Sequence, residues 1–446
     1  MNKKDKIVVL GAGPVGSLLS IFLKKKGFEI DVFEKRADVR KSANYAGKSI
    51  NIALSQRGWT ALEKVGLKDA INQMALPMYG RMIHNEDGTE DFQAYSSSGD
   101  AIYSVSRGDI NKILIDEAEK VGVNFHFDQN CKRIDLKTNS LYFRNSENEL
   151  TRIDDPKVCL AADGAFSVLR NELIKHENVN YSQEFLEHGY KELHLQANAK
   201  GEWQLQKNAL HIWPRKSFML IALPNLDGSF TCTLFLQAKG EISFENLKTS
   251  KGIEAFFETY FADIQALIPD LETQFLQNPV GSLVTIKCFP WSRIVRETHY
   301  CLLGDAAHAI TPFYGQGMNC GFEDARIFYE LIENETFTWS EVLNNFQAKR
   351  KPNADAIAQM AFDNFLEMRD GVTDPDYLAK KKLESEIKKL MPEWRNKYEL
   401  VSFSDEPYSF IERFYKSYSL DFTSYLKGNI GLDELIPNVE LKEKKA

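Results

Sequence analysis

The sequence predicts an α/β protein in which a glycine-punctuated βαβ unit opens the chain, a mixed antiparallel sheet follows, and a mainly helical region ends it. Three observations predict this. The first is "KIVVLGAGPVGSLLSIFLKKKGFEIDVF": an apolar run from Lys6 to Leu10, helical periodicity from Val15 to Lys26, and a second strand-like run from Phe28 to Phe33. The second is the pair "LHIWPRKSFMLIALPN" and "SFTCTLFLQ" between about Leu210 and Leu236, rich in β-branched and aromatic residues around the turn "NLDGS". The third begins near Glu323, where "FEDARIFYELI", "VLNNFQAKRKPNADAIAQMAFDNFLEMR" and "YLAKKKLESEIKKLM" place apolar residues at three- and four-residue spacing. Pro352 is predicted to break the middle helix near its start.

A chain of 446 residues with 43% hydrophobic and 26% charged residues can bury two or three packed layers. Its formal net charge of −8 and scattered lysines exclude a broad basic footprint, so no nucleic-acid partner is expected. The six cysteines form no CxxC pair and no histidine stands at metal-ligand spacing, which predicts reduced thiols and no metal. Glycines interrupt the first apolar run, no stretch approaches the roughly 20 apolar residues a membrane helix needs, and "NVELKEKKA" is polar. A soluble, cytoplasmic protein is therefore expected.

In "GAGPVG", Gly11 permits a tight turn, Gly13 lets backbone approach a pyrophosphate, and Gly16 lets helix pack on strand, with Val15 inside the motif. The helix N-terminus turns free N–H groups toward phosphate charge. Glu34 ends the next strand, where a carboxylate accepts hydrogen bonds from a ribose diol. Together these features predict dinucleotide binding without choosing NAD over FAD. In "CLAADGAFSVLRNEL", Asp163-Gly164 separates an apolar run from a helix containing Arg170; alone, this reads as a strand, a turn and a helix cap. "LLGDAAHAITPFYGQGMNCGFEDA" repeats the arrangement with Gly304-Asp305. Two acid-bearing turns beside one dinucleotide fold suggest a ligand too long for a single crevice.

These three elements together resemble the single-component FAD-dependent aromatic hydroxylases, whose fold is that of p-hydroxybenzoate hydroxylase. The resemblance implies a Rossmann-like FAD-binding domain, a mixed antiparallel-sheet substrate domain and a helical C-terminal region. It divides the chain into FAD-binding parts at 1–75, 106–180 and 291–330, substrate-domain parts at 76–105 and 181–290, and helices over 331–446. "GKSINIALSQRGWTALEKVGL", "GRMIHNEDG", "YSVSRGDINKILIDEAE" and "NFLEMR" are similar, more narrowly, to the kynurenine 3-monooxygenase branch. That likeness implies hydroxylation of L-kynurenine to 3-hydroxy-L-kynurenine through a flavin C4a-hydroperoxide, with bound FAD, transient NADPH and O2. Lys48 stands where that branch usually carries arginine, and the hydrophobic C-terminal anchor of mitochondrial members is missing. The soluble bacterial form, monomeric or homodimeric and without a membrane anchor, is the expectation.

The resemblance also implies roles for individual residues. Asp305 contacts the ribityl chain, and Asp163 serves FAD and NADPH. Arg36, Ala53, Arg107, Gly317, Met318 and Asn319 join them at the cofactor, Arg107 reaching the pyrophosphate and the helix start at 317–319 facing the flavin. Arg81 and Tyr95 clamp the substrate carboxylate, and Asn364 and Tyr398 hold its carboxylate or amino group. Leu210, Met219, Ile221, Leu223, Phe235 and Met368 wall the aryl group. Pro312 and Phe313 stand near the ring, and Gln316 lies between flavin and substrate. On spacing alone, the alternation over 210–223 fits core packing equally well, and Arg81 reads as a structural arginine. His308 reads as an acid or base, or equally as a structural residue of its turn. Hydroxylation of another aromatic acid or amine, or flavin binding without catalysis, are the alternative functions.

Overall fold

The computed structural model describes residues 1–3, 5–41, 51–96, 98–176, 178–334, 336–370, 375–431 and 434–435. Lys48 lies outside them, as does the side chain of Met368. The strand Lys6–Leu10 has near-continuous apolar character because it is central in a six-stranded sheet and is covered on both faces. It pairs in parallel with Glu29–Phe33 on one side and Val158–Ala161 on the other. Thr298–Leu302 pairs in parallel with Val158–Ala161, and only the edge strand Ser292–Val295 runs antiparallel. The turns at Gly11, Asp163 and Asp305 therefore leave the carboxyl ends of three adjacent parallel strands, spaced about 4.8 Å apart. That edge is where open α/β sheets bind ligands.

A seven-stranded sheet carries the second layer, in the order Gly281–Phe289, Asn180–Leu195, Phe230–Gln237, Phe218–Pro224, Ala209–Arg215, Gly80–His84 and Glu90–Ala94. All neighbours are antiparallel except Ala209–Arg215 with Gly80–His84. Alternation divides its side chains. Phe230, Cys232, Leu234 and Trp213 pack with Ile253, Phe257, Phe261 and Phe275 of the helical segment that follows. The opposite face holds Met219, Ile221 and Leu223, in register with Phe235, Thr233 and Thr231. A small sheet of Asn51–Leu54, Ile102–Ser106 and Leu76–Met78 links the two layers. The turn "NLDGS" closes as expected, with Asn225 N–H donating to Ser229 O at 2.8 Å.

Pro352 does not break its helix: Trp339–Asp370 runs through it for 32 residues. The ring removes one intrahelical hydrogen bond, whereas the helix buries residues in three places along its length. Val342, Leu343 and Phe346 pack into the first core, Ile357, Met360 and Ala361 join the C-terminal helices, and Phe365 reaches the second sheet. Asn353 also donates its side-chain amide to the Lys349 carbonyl at 2.8 Å. Burial on this scale outweighs the proline penalty of about 3 kcal/mol. Among the described residues no helix is long and apolar enough to cross a membrane. The six cysteines are free thiols, five of them buried.

Candidate active site

The first crevice is built by steric necessity. Gly11 has φ +96°, and a Cβ there would lie 2.6 Å from the Ala162 carbonyl oxygen. A Cβ on Gly16 would lie 2.0 Å from the Gly11 oxygen, so the helix Pro14–Lys25 sits on its strand only because that atom is missing. At Gly13, the cap of that helix, a Cβ would meet nothing within 4 Å, which leaves room for a phosphate at the N–H groups. Val15 turns its side chain inward, against Gly304 and Gly321, and so locks this helix to the Gly317–Glu333 helix. The Glu34 carboxylate accepts from the N–H of Ala12 at 2.9 Å and of Arg36 at 3.0 Å, which fixes it at the mouth of the crevice. The Arg36 side chain is exposed. Asn111 closes the opposite wall by donating to the Ala12 carbonyl at 3.0 Å, and its own oxygen is buried without a partner among the described residues.

Asp163 acts in its own turn by accepting from Val168 N–H at 2.8 Å, which caps the helix Val168–His176. Its second oxygen is buried without a partner among the described residues, and burial pushes the carboxyl pKa up. Arg170 couples this turn to the next one, donating to the carbonyls of Ala165 and Ala306. Asp305 is exposed at the start of Asp305–His308. Asn319 ties Gly317–Glu333 to the strand bearing Ala53, donating to Ala53 O at 2.8 Å and accepting from Ser55 N–H at 3.0 Å. The open Gly13 cap, the unpartnered Asp163 and Asn111 oxygens and the two helix N-termini suit a long dianionic dinucleotide. The residues present fit FAD. We expect Gly16→Ala to weaken flavin retention roughly 5- to 150-fold, because displacing the Gly11 carbonyl costs about 1–3 kcal/mol; flavin absorbance per chain after gel filtration measures it. Full retention would show that the close contact is not required.

The predicted substrate residues converge on one face of the second sheet. Met219, Phe235, Phe313 and Phe365 form one buried cluster, with the Phe313 and Phe365 rings stacked at 4.4 Å. Tyr95 and Leu223 form a second, against which Leu210, Ala53 and Tyr398 pack, and Ile221 touches both clusters. At its edge the Arg81 guanidinium lies 4.6 Å from the Tyr398 ring centre and 5.7 Å from that of Tyr95. The two tyrosine rings stack at 4.9 Å. Burial, reinforced by Tyr398 and opposed by Arg81, raises the Tyr95 pKa, so its hydroxyl stays protonated. Asn364, buried, donates its amide N–H to Phe313 O at 2.8 Å and so holds the turn on which Pro312 is exposed.

Gln316 is 1% exposed, and its amide is engaged within the protein. It accepts from the Tyr408 hydroxyl at 2.7 Å and donates toward Ser55 Oγ at 3.3 Å and Tyr314 O at 3.4 Å. His308 resolves as a structural residue, its Nε2 2.6 Å from Asp324 Oδ2 in full burial. Burial opposes the imidazolium, but the Asp324 charge outweighs it and raises the pKa well above the ordinary value. Burial likewise works against the Asp324 carboxylate, and His308 with Arg350 holds its pKa at about 2. Cys320 also lies beside this pair, but Asp324 is already taken by Arg350, His308 and the Gly304 N–H.

Two further features carry no sequence signal of their own. Tyr190, Glu192 and His194 continue the face of Met219, Ile221 and Leu223, in register with Phe235, Thr233 and Thr231, so the apolar wall becomes polar toward one edge. There a cavity of about 580 Å³ opens, lined also by Asn51 and Asp109. Arg107, exposed at the head of Arg107–Lys120, opposes the upward push of burial on the pKa values of both Tyr190 and Glu192. The second feature is a buried ion network of Arg57, Glu323, Arg350 and Asp324 beneath the turn that carries Pro312.

Comparison with known proteins fits this geometry. A family described as an FAD binding domain matches residues 4–361. The kynurenine 3-monooxygenase of Christiangramia forsetii is 45% identical over 92% of this chain and 91% of its own length. That of Flavobacterium johnsoniae is 47% identical with the same coverage. The solved structure of 2-methyl-3-hydroxypyridine-5-carboxylic acid oxygenase shares the fold with a TM-score of 0.67 at 18% identity, over 85% of this chain and 96% of its own. A dinucleotide crevice, an aromatic wall beside it and identity of this extent place the chain in the kynurenine 3-monooxygenase family of FAD-dependent enzymes.

Proposed function

We propose that the protein hydroxylates L-kynurenine to 3-hydroxy-L-kynurenine, converting NADPH, H⁺ and O2 to NADP⁺ and water as one oxygen atom enters the ring. The observation that carries this reading is the position of Arg81, held against the stacked Tyr95 and Tyr398 rings at the rim of an apolar wall. An amino acid with an aromatic side chain needs both parts. The guanidinium plane is oriented by the rings, and its fork meets a carboxylate through two parallel hydrogen bonds. Tyr95, kept protonated, supplies a further donor. Leu210, Met219, Ile221, Leu223 and Phe235 then receive the aryl group.

FAD, when bound, supplies the two-electron reduction of O2 and the transfer of one oxygen atom. The chain's own contribution is to bind, align and exclude water. Gly13, Glu34, Arg36, Arg107, Asp163 and Asp305 would hold the dinucleotide across the three strand ends, with Val15 and Gly16 keeping its helix in place. Ala53, Gly317, Met318 and Asn319 would bound the flavin ring, where the helix N-terminus favours negative charge. Pro312 and Phe313 would complete the aryl pocket from the flavin side, and the apolar clusters around Phe235 and Tyr95 would offer water few hydrogen-bonding partners. Kynurenine's amino group already activates the ring, so alignment is the main demand. Asn364 serves it through the Phe313 carbonyl, and the Lys397–Glu367 ion pair at 3.1 Å secures the segment bearing Tyr398.

The test is NADPH consumption by FAD-loaded protein with and without L-kynurenine, with products separated by chromatography and a panel of other aromatic acids and amines run alongside. Kynurenine is expected to stimulate consumption and yield the 3-hydroxy product. No stimulation by kynurenine, or stimulation only by another aromatic compound, would overturn the assignment.

A further inference from the structure

One unbroken series of buried polar contacts joins the two ends of the segment 304–316, and it passes through the C-terminal helices. Gly304 N–H donates to Asp324 at 3.0 Å, and Arg350 Nε donates to the other Asp324 oxygen at 2.6 Å. Arg350 also pairs with Glu323, whose second oxygen accepts from Arg57 at 2.9 Å. Arg57 donates to the Glu406 carbonyl, and its guanidinium lies 3.8 Å from the centre of the Tyr408 ring. The Tyr408 hydroxyl completes the series by donating to Gln316 Oε1 at 2.7 Å. Every side chain that takes part, those of Asp324, Arg350, Glu323, Arg57, Tyr408 and Gln316, belongs to a buried residue. Between its two ends stand Asp305, Pro312, Phe313 and Gly315.

Tyr408 opens the helix Tyr408–Leu426, which packs with the other C-terminal helices. Its hydroxyl is the contact through which that region reaches Gln316, the cap of Gly317–Glu333. The hydrogen-bonding roles are fixed by elimination. A carbonyl only accepts, so the Gln316 amide N–H must face Tyr314 O, and its oxygen must face the Tyr408 hydroxyl, which donates. Without that donor the Gln316 oxygen keeps, among the described residues, only the longer contact from the Ser55 hydroxyl at 3.4 Å. The cap of the helix is then held less tightly on that side.

We propose that Tyr408 is a positioning residue for hydroxylation: its hydroxyl fixes the Gln316 amide and the first turn of Gly317–Glu333, so that seating of the C-terminal helices directs oxygen to the substrate rather than to peroxide. The inference rests on the flavin-dependent hydroxylation proposed above. Two electrons leave NADPH in either outcome. In the coupled reaction NADPH, H⁺, O2 and substrate give NADP⁺, water and hydroxylated product; in the diverted one NADPH, H⁺ and O2 give NADP⁺ and H2O2. Alignment decides between them, because a small misplacement of reacting groups is costly while electron delivery is not affected by it.

Tyr408→Phe removes the hydroxyl and keeps the ring over Arg57. In FAD-loaded full chain with L-kynurenine, product per NADPH consumed is expected to fall about tenfold, the effect of one lost buried hydrogen bond. Peroxide should rise in proportion, with KM for kynurenine and total NADPH consumption held within about twofold. Gln316→Leu should give the same diversion, and the double variant should be no worse than either single one. An unchanged product ratio in Tyr408→Phe overturns the proposal, as do losses that multiply in the double variant. A uniform fall in all rates with a lowered melting temperature also overturns it, since packing alone would then explain the residue. If the parent protein itself does not respond to kynurenine, the substrate assignment fails instead. The same partition is then measured with whichever aromatic compound supports turnover.

Discussion

Arg81→Met is expected to lower kcat/KM for L-kynurenine about 100-fold or more, chiefly by raising KM. A bidentate pair between guanidinium and carboxylate contributes two charge-assisted hydrogen bonds, each about 1.5–3 kcal/mol, and tenfold in rate corresponds to about 1.4 kcal/mol. Methionine preserves the bulk of the side chain against the Tyr95 and Tyr398 rings, so the apolar wall should survive. Arg81→Lys should recover only part of the loss, because an ammonium lacks the planar fork. Steady-state kinetics with kynurenine and with its analogue lacking the carboxylate decide the matter. The analogue should be processed equally by parent and variant. If Arg81→Met binds kynurenine as the parent does, the clamp lies elsewhere.

Arg350→Met is expected to destabilise the protein by about 3–5 kcal/mol, the cost of leaving buried charge uncompensated. Arg350 pairs with both Glu323 and Asp324, and all three are at most 4% exposed. Removing it leaves Asp324 facing His308, and Glu323 facing Arg57 and, at 3.5 Å, Arg326. Denaturant unfolding of FAD-loaded protein measures the loss, and an unchanged midpoint would show that the network contributes nothing net. The pH dependence has a definite sign. The depressed Asp324 pKa contributes stability that is present above the ordinary carboxylate value of 3.8 and lost as pH falls toward about 2. The raised His308 pKa contributes stability that is full below the ordinary imidazole value of 6.5 and lost only as pH rises through its elevated folded value. Their combined contribution is complete between those two ordinary values.

The elements that the sequence announced were those whose cause is local. Gly16 is dictated by the Gly11 carbonyl five positions earlier, Gly11 by its own φ of +96°, and the turn at Gly304-Asp305 punctuates its own strand. The alternation through Met219, Ile221 and Leu223 was legible as one sheet face, yet only the fold distinguishes a pocket wall from the helix-covered side. What stayed hidden depends on distant partners. Glu323 reads as a solvated helix residue until Arg57, 266 positions earlier, is found against it. Tyr408 carries no mark of its contact with Gln316, 92 positions before it. Pro352 misleads for the same reason, since its local penalty is visible in the sequence and the compensating burial is not.

The three adjacent strand ends have a consequence for synthesis. The turns they carry lie near positions 11, 163 and 305 of the chain, and the second sheet is largely made between the last two of them. A ribosome therefore releases the opening βαβ unit long before the strand that completes its ligand edge. Until Thr298–Leu302 has docked beside Val158–Ala161, the nascent chain has a phosphate-binding turn but no continuous cradle. Such non-local pairing is slow to form, and the early unit meanwhile exposes unpaired strand edges. Cofactor capture thus falls late in biogenesis, and flavin supply in the cell acts on a nearly finished molecule.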